Sequence, residues 1–103
     1  YLTENHQMVS NIYHSMGRES FGNYLTREMD RLLYVAFTQR AVLVGVPEHS
    51  VRVLVNFYKH GLVGVLLDWV DKDLVGDIEE IVQLYRPVFE EALDEAFLQM
   101  SKV

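Results

Sequence analysis

The segment Asn56–Val70 restricts the possible folds of this chain more than any other, and it lies within a longer helix that begins near Pro47. At 100° per residue, the apolar side chains of this helix fall on two faces rather than one. One face holds Val51, Leu54, Val55, Tyr58, Leu62, Val65, Leu66 and Trp69, and the other holds Val53, Phe57, Gly61, Gly64 and Leu67. Because a helix with two apolar faces must be covered on both, we expect the chain's own core on one side and a second copy on the other.

Two glycines on the second face, Gly61 and Gly64, need an explanation. A glycine costs a helix interior about 1 kcal/mol relative to alanine. Such glycines are easiest to explain if another backbone or a ligand comes close to them. The alternative is that both are simply tolerated in a buried helix.

The spacing of apolar residues predicts three further helices. The first runs from Leu2 to Met16 and ends at Gly17, and the second runs from Phe21 to about Val42 with Ser20 as its N-cap. The last runs from Asp77 to about Met100 and has the clearest amphipathic pattern. No strand-like alternation occurs in the sequence. The predicted fold class is all-α, a bundle of four to five helices.

Two of these helices carry more detailed expectations. Pro87 lies inside the last helix, so the backbone bond to Gln83 is lost and a bend is expected there. The apolar stripe of the last helix is too wide for a single neighbour, which again indicates a partner. The apolar side of the second helix is predicted to hold Phe21, Leu25, Met29, Leu32 and Ala36, and to be widened by Tyr24, Leu33 and Phe37.

Composition narrows the class of protein. A chain of 103 residues forms one small domain, and its 50% hydrophobic content and mean hydropathy of +0.02 indicate a buried interface or an internal cavity. The net charge is −6, and residues 68–103 carry 10 acidic but only 3 basic side chains. Such an acidic surface is unsuited to a phosphate backbone, so we do not expect this domain to bind nucleic acid by itself.

Little in the sequence points to catalysis or to a metal. There is no cysteine, no nucleophile elbow and no phosphate-binding loop, and the four histidines lack the three- or four-residue helical spacing of metal ligands. We therefore expect no catalytic residue, no metal and no cofactor.

The longest apolar run, around Val65, is far shorter than the roughly 20 residues that span a bilayer. The absence of glycosylation sequons agrees with a cytoplasmic protein.

The aromatic and methionine residues of the first three helices suggest a ligand pocket. Tyrosine and tryptophan combine an apolar body with one polar group, which suits a mostly apolar binding site. The candidate ligand-binding residues are His6, Tyr13, Met16, Tyr24, Tyr58 and Trp69. Ordinary core packing is the alternative for each of them, and for His6 the alternative is a hydrogen-bonded histidine at the edge of the core.

The sequence resembles the C-terminal domain of a TetR-family transcriptional regulator. The resemblance is carried by HGLVGVLLDWV at residues 60–70, with its two close glycines and Trp69, and by the acidic helix start Ile78-Glu79-Glu80. The order of a short helix, a long helix and a loop before Pro47 is also similar. The resemblance implies a bacterial regulator, in which a DNA-reading helix-turn-helix domain precedes this segment. The start at Tyr1, without an initiator methionine, leads us to expect a fragment.

The resemblance further implies a mechanism. In such regulators the last two long helices pair with their symmetry mates in a four-helix dimer bundle, and an inducer bound among the other helices changes the spacing of the DNA-reading heads. The candidate dimer residues are Phe57, Gly61, Gly64, Leu67, Phe89, Leu93 and Phe97. The sequence shows no buried charge that would identify a ligand, so a small apolar ligand and a protein effector both stay open.

Three functional hypotheses follow. The first is a ligand-sensing and dimerisation domain of a TetR-like repressor, which contacts operator DNA only through the absent N-terminal domain. The second is a helical homodimeric interaction module without a small-molecule site, which a pocket filled by side chains would favour. The third is a fragment of a helical enzyme, which would require converging titratable groups that the sequence does not show.

Overall fold

A computed structural model describes residues 6–72 and 77–101, without the side chains of residues 6, 9 and 78. These residues form helices with no strand among them, which confirms the predicted all-α class. The helices are α1 (His6–Met16), α2 (Arg18–Val44), α3 (Glu48–Asp71), α4 (Ile78–Arg86) and α5 (Ala92–Met100), and a π-helical turn (Pro87–Glu91) joins the last two.

The helices α2 and α3 form a long antiparallel hairpin, which is the frame of the molecule. The hairpin turns at Gly45, whose φ of 77° is a left-handed conformation that favours glycine. The backbone N–H groups of Gly45 and Val46 donate to the Ala41 carbonyl at 2.8 and 3.0 Å. Pro47 stands immediately before α3 and cannot continue a helical hydrogen-bond ladder from α2. The expected break at Gly45 and Pro47 is therefore present.

The start of α2 and its buried side differ from expectation. The helix begins at Arg18, directly after Gly17, so Ser20 does not cap it.

The buried and half-buried apolar residues of α2 recur at every fourth position, so Leu32, at 51% exposure, and Ala36 lie outside the core. Rows of residues four apart form the ridges with which helices commonly pack against each other. The members of this row are Phe21, Leu25, Met29, Leu33, Phe37 and Ala41.

The core is divided into two clusters at opposite ends of the hairpin. The first cluster joins the C-terminal half of α2, the N-terminal half of α3, and α5; it contains Phe37, Ala41, Val46, Val51, Leu54, Val55, Tyr58 and Phe97. The second joins α1, the start of α2, the end of α3, and α4; it contains Phe21, Trp69 and Val70, with Tyr13, Leu25, Leu66, Leu67 and Ile81 against them. The first apolar face of α3 therefore contributes to both clusters, as expected.

The last helical segment continues through Pro87 with a local change of hydrogen bonding. Residues 87–91 form a π-helical turn between α4 and α5. Proline has no N–H to donate to the carbonyl four residues earlier, and its ring crowds that carbonyl. A wider turn is a common way to accommodate such a defect. The sequence located the irregularity at Pro87 but not its form.

A polar seam joins α2 and α3 on the side of the hairpin. Lys59 Nζ donates to Asp30 Oδ1 at 3.2 Å, and Arg52 Nη1 donates to both Asp30 oxygens at 3.3 Å. The Arg52 guanidinium also lies 4.2 Å from the centroid of the Tyr34 ring. The hydrogen bond from Lys59, aided by the one from Arg52, lowers the pKa of Asp30 despite the opposing effect of burial.

Replacement of Asp30 by asparagine tests this seam. Because the pKa of Asp30 is lower in the folded state, the ion pairs stabilise the fold above the pKa of the unfolded chain, and this gain is lost as pH falls through the folded pKa. We expect Asp30→Asn to reduce the free energy of unfolding at pH 7 by about 1 kcal/mol. The difference from wild type should shrink as pH falls from about 5 to 2, as measured by urea unfolding. A difference that is constant over this range would contradict the assignment.

Within the described residues, α3 is the one helix that is long and apolar enough to cross a membrane by length and composition. Core helices of soluble proteins meet the same criterion. Here Arg52 and Lys59 of α3 form ion pairs with Asp30 of α2, and the first apolar face of α3 is covered by the two core clusters. Of the most apolar 18-residue window of α3, 33% is buried.

Candidate dimer face and apolar cavity

The second apolar face of α3 is open to solvent. Phe57 is 72% exposed and Val53 is 58% exposed, although both lie in the middle of a long, well-packed helix. Gly61 and Gly64 continue this face and are also exposed. A Cβ atom placed on Gly64 would meet nothing within 4 Å. The described part of the chain therefore gives no packing reason for glycine at position 64.

An open groove, here called the α3–α4 groove, runs along this face. It has a volume of about 820 Å³ and is bounded by α3 on one side and by α4 with the π-helical turn on the other. Its lining is mostly apolar and comprises Val53, Asn56, Phe57, His60, Gly61, Val65, Tyr85, Val88 and Phe89. A contiguous exposed apolar surface of this kind is typical of an interaction site.

The Phe89 ring forms much of the floor of this groove. A Cβ on Gly61 would lie 3.4 Å from Phe89 Cε1, so glycine brings the ring close to the α3 backbone. The ring centroid is also 6.1 Å from that of Tyr58 and 6.0 Å from that of Tyr85. A Cβ at position 61 would thus be in ordinary van der Waals contact with this ring, so Gly61 faces an aromatic side chain of the last helical segment.

A smaller space, here called the inner cavity, adjoins the α3–α4 groove. Its volume is about 190 Å³ and it lies between α2, α3 and α4. It is lined by Met29, Leu62, Val65, Leu66, Val82, Tyr85 and Phe89. Val65, Tyr85 and Phe89 line both spaces and separate them.

A group of hydrogen bonds at the C-terminal end of α3 connects this helix to α1. The Tyr13 hydroxyl donates to Asp71 Oδ1 at 2.8 Å, and Arg18 Nε donates to the two Asp71 oxygens at 3.1 and 3.0 Å. The hydrogen bond from Tyr13, followed by that from Arg18, lowers the pKa of Asp71. The Tyr13 ring also packs edge-on against Phe21, with a centroid distance of 5.6 Å. Asp71 therefore connects the end of α3 to both α1 and the start of α2.

The substitution Tyr13→Phe separates the two parts of this contact. It keeps the ring against Phe21 but removes the hydroxyl that donates to Asp71. We expect the amides of α1 to exchange with deuterium faster than in wild type, while the amides of α3 near Val55 keep their protection. Equal protection of α1 in both proteins would show that the hydroxyl does not hold this helix.

Comparison with known families now identifies the type of domain. A TetR-type family model, described as transcriptional regulator C-terminal region, matches residues 1–91. The chain belongs to the C-terminal domains of TetR-family transcriptional regulators. The match includes every residue of the α3–α4 groove and of the inner cavity. No curated protein and no solved structure matches the chain significantly.

The candidate ligand-binding residues of this TetR-type domain lie in different places. Tyr58 is buried in the first core cluster, and Trp69 is buried in the second together with half-buried Tyr13. Met16 and Tyr24 are exposed, and the side chain of His6 lies outside the described residues. Burial raises the pKa of the Tyr58 hydroxyl, so it is neutral at physiological pH. The five described residues are not brought together around one space.

The candidate dimer residues divide into an exposed and a covered group. Phe57 and Gly61 line the α3–α4 groove, as does half-buried Phe89. Gly64 and Leu67 lie in the neighbouring groove between α2 and α3, which holds about 500 Å³. Four of the seven contact the chain's own core: Leu67 packs against the second cluster, Phe89 and Leu93 pack against the first, and Phe97 is 2% exposed within the first.

Met29 and Val82 are not among the candidate ligand-binding residues predicted from the sequence, although both line the inner cavity. No pattern in the sequence distinguishes a residue beside a cavity from one in a filled core. The described residues contain no group of three histidine, aspartate or glutamate side chains that could hold a metal.

Proposed function

We propose that this TetR-type domain is the dimerisation and ligand-sensing part of a bacterial, cytoplasmic repressor. A second copy would cover the α3–α4 groove, so that α3 and the α4–α5 segment of each copy form a four-helix interface. Binding of a ligand or partner would favour one of two helix packings and thereby alter the spacing of the DNA-binding heads. The domain's role would be regulatory rather than catalytic.

The exposure of Phe57 carries this proposal. A phenylalanine that is 72% exposed in the middle of a long helix, beside a mostly apolar groove, leaves a large apolar surface in water. The hydrophobic effect favours covering such a surface by about 25 cal/mol for each Å². Because the groove lies on one face of the chain, two copies related by a twofold axis can cover each other's groove.

The distribution of charged residues also supports this face as the dimer interface. The acidic side chains of α4, the π-helical turn and α5, including Glu79, Glu90 and Asp94, are exposed, whereas Tyr85, Val88 and Phe89 line the groove. Interface centres are depleted of charged residues while their rims are polar. The acidic residues would then keep the outside of the dimer in contact with water.

Sedimentation equilibrium over a wide concentration range tests dimerisation directly. A tight dimer of twice 12.0 kDa is the expected result. A monomer at all concentrations up to the millimolar range would overturn the proposal, because the exposed face of α3 would then have no self-partner.

One observation favours a second function, a homodimeric interaction module without a small-molecule site. Tyr58 and Trp69, two of the candidate pocket residues, are buried in separate, filled clusters. A protein effector would then take the place of the ligand. A dimer that binds no small molecule in a thermal-shift screen, but shows a saturable shift with a protein partner, would support this alternative.

A further inference from the structure

The inner cavity restricts the chemistry of a ligand more than any other space in the described residues. All seven residues that line it are apolar or aromatic, and none carries a charge at neutral pH. Tyr85 supplies the one hydroxyl group among them. A charged molecule would lose its hydration on entry without gaining an opposite charge, at a large cost in free energy.

The volume of the inner cavity indicates the size of ligand that it can hold. A dry apolar cavity of about 150 Å³, lined by leucine, isoleucine and phenylalanine in another protein, binds benzene. The inner cavity, at about 190 Å³, is slightly larger and has a similar lining, but it is open to solvent on the side of Val82 and Tyr85, which are 49% and 41% exposed. A single six-membered ring with one or two substituent carbons would therefore fit within it.

We propose that the inner cavity binds a small, uncharged, apolar molecule about the size of toluene. This inference rests on the proposed sensing function, because it names the class of ligand and the residues that hold it. Met29 from α2, Leu62 and Leu66 from α3, and Val82 from α4 surround the ligand. The site is distinct from Tyr58 and Trp69, which fill the two core clusters.

The inner cavity lies next to the proposed dimer face, so a ligand bound in the cavity can affect dimerisation. Val65, Tyr85 and Phe89 line the inner cavity on one side and the α3–α4 groove on the other. A ligand in the cavity contacts the same side chains that a second copy would contact in the groove. Binding at one site therefore biases the other through a shared wall of three side chains.

Nuclear magnetic resonance titration of the ¹⁵N-labelled domain tests the proposal, with benzene and toluene as probes and benzoate as the charged counterpart. Toluene and benzene should give saturable shifts centred on the amides of Leu62, Leu66 and Val82, and benzoate should give none. Two variants fill the cavity, Leu62→Phe and Val82→Phe, and each should weaken toluene binding about tenfold or more. The matched control is Leu84→Phe, since Leu84 lies on the same helix as Val82 but is 79% exposed and lines neither space.

The outcomes separate this inference from the proposed function. Absence of saturable toluene binding, or equal binding by wild type and both filled variants, would overturn the cavity proposal. If the same samples are dimers by sedimentation, the dimerisation proposal stands despite that failure. Toluene binding by a domain that is monomeric in sedimentation would support the cavity proposal and overturn the dimerisation proposal.

Discussion

Replacing Phe97 with alanine should lower the free energy of unfolding by about 3 to 5 kcal/mol. The side chain is 2% exposed and packs edge-on against Phe37, with a centroid distance of 5.8 Å. The Arg40 guanidinium lies 4.4 Å from the ring centroid and also donates to Asp94 at 2.7 Å. Truncation would leave a cavity where α5 meets α2, and the melting temperature should fall by at least about 12 °C.

The neighbouring residue gives a matched control for this prediction. Leu98 is 54% exposed on the same helix, so Leu98→Ala should change the free energy of unfolding by less than about 1 kcal/mol. Urea unfolding of both variants at two protein concentrations separates packing within the chain from packing between copies. If Phe97→Ala lost its effect at the lower concentration, the side chain would act in a dimer interface rather than in the core.

Replacing Gly64 with leucine should weaken the proposed dimer by about 2 kcal/mol or more, which corresponds to about a thirtyfold increase in Kd. Gly64 is exposed, and a Cβ at this position meets nothing within the chain. The monomer should therefore tolerate leucine and gain up to about 1 kcal/mol in helix propensity. A bulky side chain would instead hold apart two helices that pack closely across the interface.

Sedimentation equilibrium of wild type, Gly64→Leu and Ser15→Leu measures this effect. Ser15 is an exposed residue of α1, outside the second apolar face of α3 and outside the two grooves that this face lines, so leucine there should leave the dimer Kd unchanged. An unchanged Kd for Gly64→Leu would show that this part of α3 is not the interface. A stable monomer with the expected gain in helix stability would show that the glycine serves association.

Periodicity predicted on which face of α3 a side chain lies, but not which side chains meet. Tyr58 and Trp69 are pocket candidates because each combines an apolar body with one polar group, and both lie on the first face of α3. They are eleven residues apart, which is about 16 Å along a helix. In the structure they lie in the two separate core clusters. Neither side-chain chemistry nor a helical projection contains distances between residues, so the sequence does not show which candidates share one space.

The same limitation explains the result for α2. The sequence predicts a wide apolar side that includes Leu32 and Ala36 as well as Leu33 and Phe37. In the structure, the row against α3 keeps a spacing of four from Phe21 to Ala41. Both rows are apolar, and the choice between them depends on the angle at which α3 crosses α2. That angle is a property of two helices together, which no single-helix pattern contains.

The class of domain and the breaks between the first three helices can be predicted from the sequence alone. Gly17, Gly45 and Pro47 act on backbone conformation and hydrogen bonding within a few residues, so their effects can be read locally. The glycine and tryptophan pattern of residues 60–70 likewise indicated the TetR family, which the family match confirmed. The ion pair between Asp30 and Lys59, and the apolar cavity that Tyr85 lines, can be seen only in the folded structure. Ion pairs and cavities between helices depend on distances across the chain, and those are fixed only when the helices pack.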